Sequence, residues 1–150
     1  MAAPALKAQA VRLLARREYT RAELEDKLVA KGAARSEART VLDELAAGGY
    51  LSNERYAHAV SRQMAGRYSR RSIAEELKAK GVAAEDIAAA LATTGIDDTA
   101  ALEALWHRRF GGLPADDREK ARQIRFLQAR GFAVSAVLKL LRERAADARG

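Results

Sequence analysis

The 150-residue sequence contains no cysteine, two prolines and only 5% aromatic residues. Without cysteine there are no disulfides and no thiolate chemistry, a composition that suits a reducing compartment. No run of β-branched residues exceeds Thr93-Thr94, so no strand pattern emerges. No stretch approaches the roughly 20 apolar residues that cross a bilayer, and Met1-Ala-Ala-Pro-Ala-Leu-Lys7 lacks the apolar centre of a secretion signal. The expected location is cytoplasmic, with no membrane contact.

Chemistry is scarce for the same reason. The two histidines, His58 and His107, stand 49 residues apart at nearly matching places in the pattern below, without a second histidine at i, i+4 or a nucleophile beside them. Gly111-Gly112 is not followed by the Lys-Ser or Lys-Thr of a phosphate loop. Asp97-Asp98 and Asp116-Asp117 sit where helices should begin, which assigns them to capping. No catalytic residue, metal, cofactor or small-molecule substrate is expected.

What the chain does have is alanine, 35 residues of it, and a formal charge of +7. The first predicts an all-α fold. The second suits an anionic partner, and its distribution is uneven. Residues 51 to 98 carry seven basic and seven acidic groups, yet Arg55, Arg62, Arg67, Arg70 and Arg71 occur with no carboxylate between residues 55 and 74. Residues 99 to 150 carry eleven basic and six acidic groups, and Arg108, Arg109, Arg122 and Arg125 complete the candidate binding set.

The architecture follows from an internal repeat. Leu24, Leu28, Lys31, Gly32 and Leu42 match Ile73, Leu77, Lys80, Gly81 and Leu91 at a spacing of 49 residues, and Leu127, Arg130, Gly131, Val137 and Leu141 follow as a copy weaker at its start. Each unit reads as three helices, giving repeats over 1–51, 52–97 and 98–150 that stack into an elongated, curved array, right- or left-handed. Thr20 with Glu23 forms a capping box before the second helix of the first repeat; Ser69 is the matching cap without the box. That helix ends at Lys31-Gly32, and Lys31 and Lys80 are explained by the negative helix end. Val82 with Ile87, Phe132 with Val137 and, more feebly, Ala33 with Ala38 have hydrophobic-staple spacing. The longest break, Phe110 to Ala115, is the candidate hinge or cleavage site. Trp106 and Phe110 are expected in the core, as are Tyr50 and Tyr56 with their hydroxyls at the surface.

The stretch from Gly49 to Arg62 joins the first two repeats. Gly48 and Gly49 can close a helix, Ser52 or Asn53 can cap the next, and Tyr56, Val60 and Met64 then recur on an apolar face while Arg55 and Arg62 lie on a basic one. With Arg70 and Arg71 beyond a short turn, one continuous basic surface is expected.

The segment Gly49-Tyr-Leu-Ser-Asn-Glu-Arg-Tyr-Ala57, followed by Arg71-Ser-Ile-Ala-Glu-Glu-Leu-Lys-Ala-Lys-Gly81, resembles the bacterial RecX regulatory proteins, and the likeness extends over nearly the whole chain. The motif and structural positions are therefore Gly49, Tyr50, Leu51 and Tyr56 of this segment and the repeat glycines Gly32, Gly81 and Gly131. Ser52 and Asn53 stand where such proteins commonly carry acidic residues. The resemblance implies a non-enzymatic modulator that binds RecA, lodges in the groove of the RecA filament on single-stranded DNA, and restrains recombinase, ATPase and coprotease activity, with a place in DNA repair, recombination and the SOS response. Weak, sequence-tolerant DNA binding is expected beside it. The residues alone leave open an independent helix-turn-helix-like DNA-binding protein and a purely structural helical scaffold.

Overall fold

The computed structural model describes residues 3–150, the side chain of Ala3 excepted; Met1 and Ala2, which open the first expected repeat and the stretch read for a secretion signal, lie outside the described residues. The described residues form nine helices and no strand: α1 (Ala3–Arg16), α2 (Arg21–Ala30), α3 (Arg35–Ala47), α4 (Asn53–Met64), α5 (Arg70–Ala79), α6 (Ala84–Thr94), α7 (Asp98–Arg109), α8 (Asp117–Ala129) and α9 (Val134–Ala148). These are three successive three-helix repeats, as the 49-residue pattern predicts. No helix among the described residues is long and apolar enough to cross a membrane.

The boundaries have the chemistry expected of them. Thr20 accepts a hydrogen bond from the Glu23 amide while the Glu23 carboxylate accepts one from the Thr20 amide, closing the capping box. Ser69 accepts from the Ser72 amide alone. Asp97 and Asp116 cap α7 and α8. Third helices start differently. α3 and α9 begin after Ala34 and Ala133, which offer no side-chain cap, so the buried staples Ala33 with Ala38 and Phe132 with Val137 hold their entry angle; Val82 and Ile87 are buried at the same places around α6.

Contacts gather the chain into two units that cut the middle repeat. One holds the chain up to Val60 together with Glu76–Thr93; the other holds Ser61–Glu75 with Thr94–Gly150. In the first, α2 packs on α3 and α1 on both, around a core that includes Leu6, Leu13, Leu24, Leu28, Val41, Leu42 and Leu51. In the second, α8 and α7 pack on α9 around Leu102, Leu105, Trp106, Leu127, Phe132, Val137 and Leu141.

Within each unit a second helix ends against the start of the second helix of the preceding repeat. In the first unit the Thr20 hydroxyl donates to the Lys80 carbonyl at 2.6 Å; in the second the Ser69 amide donates to the Arg130 carbonyl at 2.9 Å. The glycine after each of those carbonyls, Gly81 at φ +89° and Gly131 at φ +94°, leaves room for this approach as well as supplying the helix-ending turn. A Cβ on Gly81 would sit 2.9 Å from the Ala22 methyl, and one on Gly131 would collide with Ser72 and Ser69. Gly32, the equivalent residue of the first repeat, has open space there.

Asn53 and Asp98 form a second recurring device. Each opens the first helix of a repeat, and each accepts a hydrogen bond from the first amide of a preceding second helix: Arg21 to Asn53 at 2.8 Å and Arg70 to Asp98 at 2.7 Å. Ser52 is the residue that caps α4, accepting from the Arg55 amide. Ser52 and Asn53 thus both serve the backbone.

Three readings need correction. Tyr50 is 60% exposed rather than a packing residue, because Gly49 turns the chain so that the Tyr50 and Leu51 amides both close on the Leu45 carbonyl. Leu51 goes inward and the Tyr50 ring covers Gly48 instead. Only Gly49, at φ +81°, takes the left-handed conformation; Gly48 is helical at φ −83°. His58 and His107, matched by their spacing, fall about one turn out of register, since α4 starts at Asn53 and α7 at Asp98.

The third repeat is weak at its start for a physical reason. Where Leu24 and Ile73 stand in the earlier copies, it carries Gln123, which is equally buried. Its side-chain oxygen accepts from the Trp106 indole at 2.8 Å and its amide nitrogen donates to the Gly112 carbonyl at 3.2 Å. Trp106 is therefore in the core, as expected, with its one polar atom satisfied.

Two stability outcomes follow. Gly32→Ala should cost only the left-handed backbone penalty, about 1–2 kcal/mol. Gly81→Ala should cost more and Gly131→Ala most, overpacking adding about 1–3 kcal/mol; equal losses in thermal unfolding would show that backbone φ alone matters. Gln123→Leu should destabilise by about 1–3 kcal/mol although it restores the residue type of the other repeats, because the buried Trp106 N–H loses its acceptor. Denaturant unfolding checks this, and a neutral or stabilising result would refute it.

Candidate functional site

After α4 the chain turns at Gly66, φ +77°, and the Arg67 and Tyr68 amides both close on the Met64 carbonyl. This short turn delivers Arg67 and Tyr68 just before the Ser69 cap. The last turn of α7 carries Arg108 and Arg109, and the end of α8 carries Phe126 and, at its C-cap, Arg130. These residues with Leu105 line one cleft of about 510 Å³ in the second unit.

The cleft holds four guanidiniums, and no carboxylate lines it. Arg130 lies over the Tyr68 ring at 4.8 Å and the Phe126 ring at 5.0 Å, and Arg109 lies over Phe126 at 4.9 Å. Phe126 is itself fixed edge-on to Phe110 at 5.5 Å. Arg130 Nη1 donates to the Arg67 carbonyl at 3.2 Å, and Arg108 Nη2 donates to the Gly66 carbonyl at 3.0 Å. Ring faces and main-chain carbonyls thus position these cations without neutralising them.

Elsewhere arginines meet acids. Arg35 and Arg39 both bind Glu25, and Arg21 binds Asp43. Burial pushes the Glu25 carboxyl up, but the hydrogen bonds from Arg35 and Arg39 outweigh it and hold the carboxyl below its ordinary range. Hydrogen bonding to Glu119 likewise raises Arg122 above its usual value.

The candidate arginines fall into three groups. Arg67, Arg108 and Arg109 are brought together in the cleft. Arg55 is tied down: its guanidinium binds Glu18 at 2.8 Å and donates to the Gly49 and Tyr50 carbonyls, clamping the turn it follows. Arg122 pairs with Glu119 at 3.0 Å and Arg71 more loosely with Glu75 at 3.8 Å. Arg62, Arg70 and Arg125 are exposed and have no carboxylate within ion-pair distance among the described residues. Leu51 and Tyr56 are buried, and burial raises the Tyr56 hydroxyl.

Arg130 joins the cleft although its sequence position gives it only a helix-ending role. Its signal lay in the repeat, where it follows Lys31 and Lys80 as the cation at a helix end; the change to arginine, which can stack and still donate, was the hint.

Comparison with known proteins gives the arrangement a family. Residues 7–45, 52–91 and 96–141 match the first, second and third three-helix domains of RecX. The chain is 41% identical over 136 residues to the regulatory protein RecX of Chromobacterium violaceum, covering 91% of this chain and 88% of that one. It is 43% identical over 145 residues to the regulatory protein RecX of Pseudomonas fluorescens, covering 95% and 94%. The fold is shared with the crystal structure of RecX from Lactobacillus salivarius, at a TM-score of 0.68 and 18% identity over 93% of this chain and 96% of that one. A second RecX crystal structure superposes at a TM-score of 0.69 with 20% identity over 94% of this chain and 73% of that one. The chain belongs to the RecX family of regulatory proteins.

Proposed function

We propose that this chain binds RecA and the RecA filament on single-stranded DNA and restrains recombinase, ATPase and coprotease activity, by binding and without catalysis. Membership of a family of regulatory proteins supports the regulatory half of this reading. The observation that carries the binding half is the gathering of Arg67, Arg108 and Arg109 in one cleft that no carboxylate lines, whereas Arg21, Arg35 and Arg39 of the first repeat meet carboxylates. Unpaired surface cations contribute little to folding and much to encounter with a polyanion. Contact with DNA in the absence of RecA is weak and sequence-tolerant, since arginine contacts to phosphate read no bases.

Replacing Arg62, Arg67 and Arg70 by Ala should weaken inhibition of RecA ATPase on single-stranded DNA while leaving helical content and melting temperature nearly unchanged. The control removes the same charge from the first repeat at Arg12, Arg16 and Lys31. Equal loss in both variants would mean that net charge alone matters, and no loss in the test variant would move the binding surface elsewhere. Strong preference for one duplex sequence would favour the independent DNA-binding protein.

A further inference from the structure

The two repeat junctions are built from equivalent residues, but only the first pairs its cations with carboxylates. At the first, Tyr19 lies under Arg17 at 3.6 Å, Glu23 meets Arg17 at 3.4 Å and Lys80 at 3.8 Å, and Glu18 meets Arg55 at 2.8 Å. Two carboxylates pair with three cations there and offset two of the three charges. At the second, the repeat spacing puts Tyr68 for Tyr19, Arg130 for Lys80, Arg67 for Glu18 and Ser72 for Glu23. Both acids are gone and one has become a cation. Arg108 and Arg109 add two more guanidiniums.

We infer that the cleft lined by Arg67, Arg108, Arg109 and Arg130 takes the phosphodiester groups of a single nucleic-acid strand. This deepens the proposed function and rests on its nucleic-acid half. Guanidiniums present several fixed N–H donors each, and Arg108 and Arg130 spend only one apiece on main-chain carbonyls. Their geometry is therefore set before an oxyanion arrives. Tyr68 and Phe126 are half-buried and line the same cleft, with Arg130 over both rings and Arg109 over Phe126, so that planar guanidiniums backed by rings, on which bases can also stack, lie beside the charge. A strand supplies regularly spaced anions together with flat bases and matches both features, whereas an acidic peptide matches only the first. The cleft measures about 510 Å³ and is open to solvent.

The test is fluorescence anisotropy of a labelled oligothymidylate with the full chain and no RecA, across a salt series. Arg67→Ala with Arg109→Ala should lower affinity at least about tenfold and flatten the log–log salt slope by about 1.4, two phosphates at about 0.7 each. Arg67→Glu, which restores the acid of the first junction, should do so alone. Arg12→Ala with Arg16→Ala should change little, and circular dichroism should show all variants equally folded. Unchanged oligonucleotide affinity in the cleft variants overturns the assignment. If the same variants lose RecA binding instead, the cleft contacts protein and the RecA reading stands. Absence of any salt-sensitive binding by the unaltered chain removes the nucleic-acid half altogether. Displacement of the strand by charge-matched polyglutamate, or by nucleoside triphosphate at equal phosphate concentration, reassigns the cleft to an acidic protein or to free nucleotide and also overturns the inference.

Discussion

The structure depends on a close approach repeated in both units: the carbonyl that ends one second helix is bonded to the residue that caps the second helix before it. Thr20 reaches Lys80 and Ser69 reaches Arg130, one through a hydroxyl and the other through an amide. Neither contact is possible if the residue after the carbonyl carries a side chain of ordinary size, which is why Gly81 and Gly131 matter beyond their turn conformation. The consequence reaches function because Arg130 occupies both roles. Its main chain closes the junction while its guanidinium spans Tyr68 and Phe126, so the spacing of repeats and the position of a cleft cation are one constraint.

Repetition explains how such a cleft could arise on an ordinary scaffold. A junction of this kind brings a helix-ending cation, Lys80 or Arg130, against the start of the preceding second helix. In the first junction Glu18 and Glu23 balance that charge, and the assembly is a structural ion network. Replacing two acids by Arg67 and Ser72 leaves the backbone contacts intact and the charge uncompensated. Scaffold and site separate along the same residues: capping and glycine contacts belong to the fold, and the charge of Arg67 and Arg130, with no acid at position 72, belongs to the proposed binding site.

Much of this was legible in the sequence because the fold is periodic. Repeat spacing, the Thr20 box, the staples into α3, α6 and α9 and the capping aspartates all depend on local chemistry, which a sequence displays. What escaped it was pairing across the repeat. Arg55 looked like part of an open basic face because Glu18 lies 37 residues away, and Arg130 looked like a helix-end cation because the rings beneath it come from another repeat and from its own helix one turn earlier. Gln123 shows the same limit. A glutamine in an apolar position reads as a weakened repeat until the Trp106 indole is found beside it. Tyr50 failed for a smaller reason, since one left-handed glycine decides which of two adjacent residues faces inward.

Four guanidiniums in one cleft oppose folding through mutual repulsion, and the structure lowers that cost without removing the charge. The ring faces of Tyr68 and Phe126 and the carbonyls of Gly66 and Arg67 are neutral groups whose electron density faces the cations. A carboxylate would stabilise the chain more and would cancel the field, as Glu23 does for Lys80. Local charge balance is therefore broken where an anion can restore it, the pattern expected of a binding site held by an otherwise consistent fold. Because the cleft cations are exposed or only half-buried, the attraction they exert on an anion weakens as ionic strength rises.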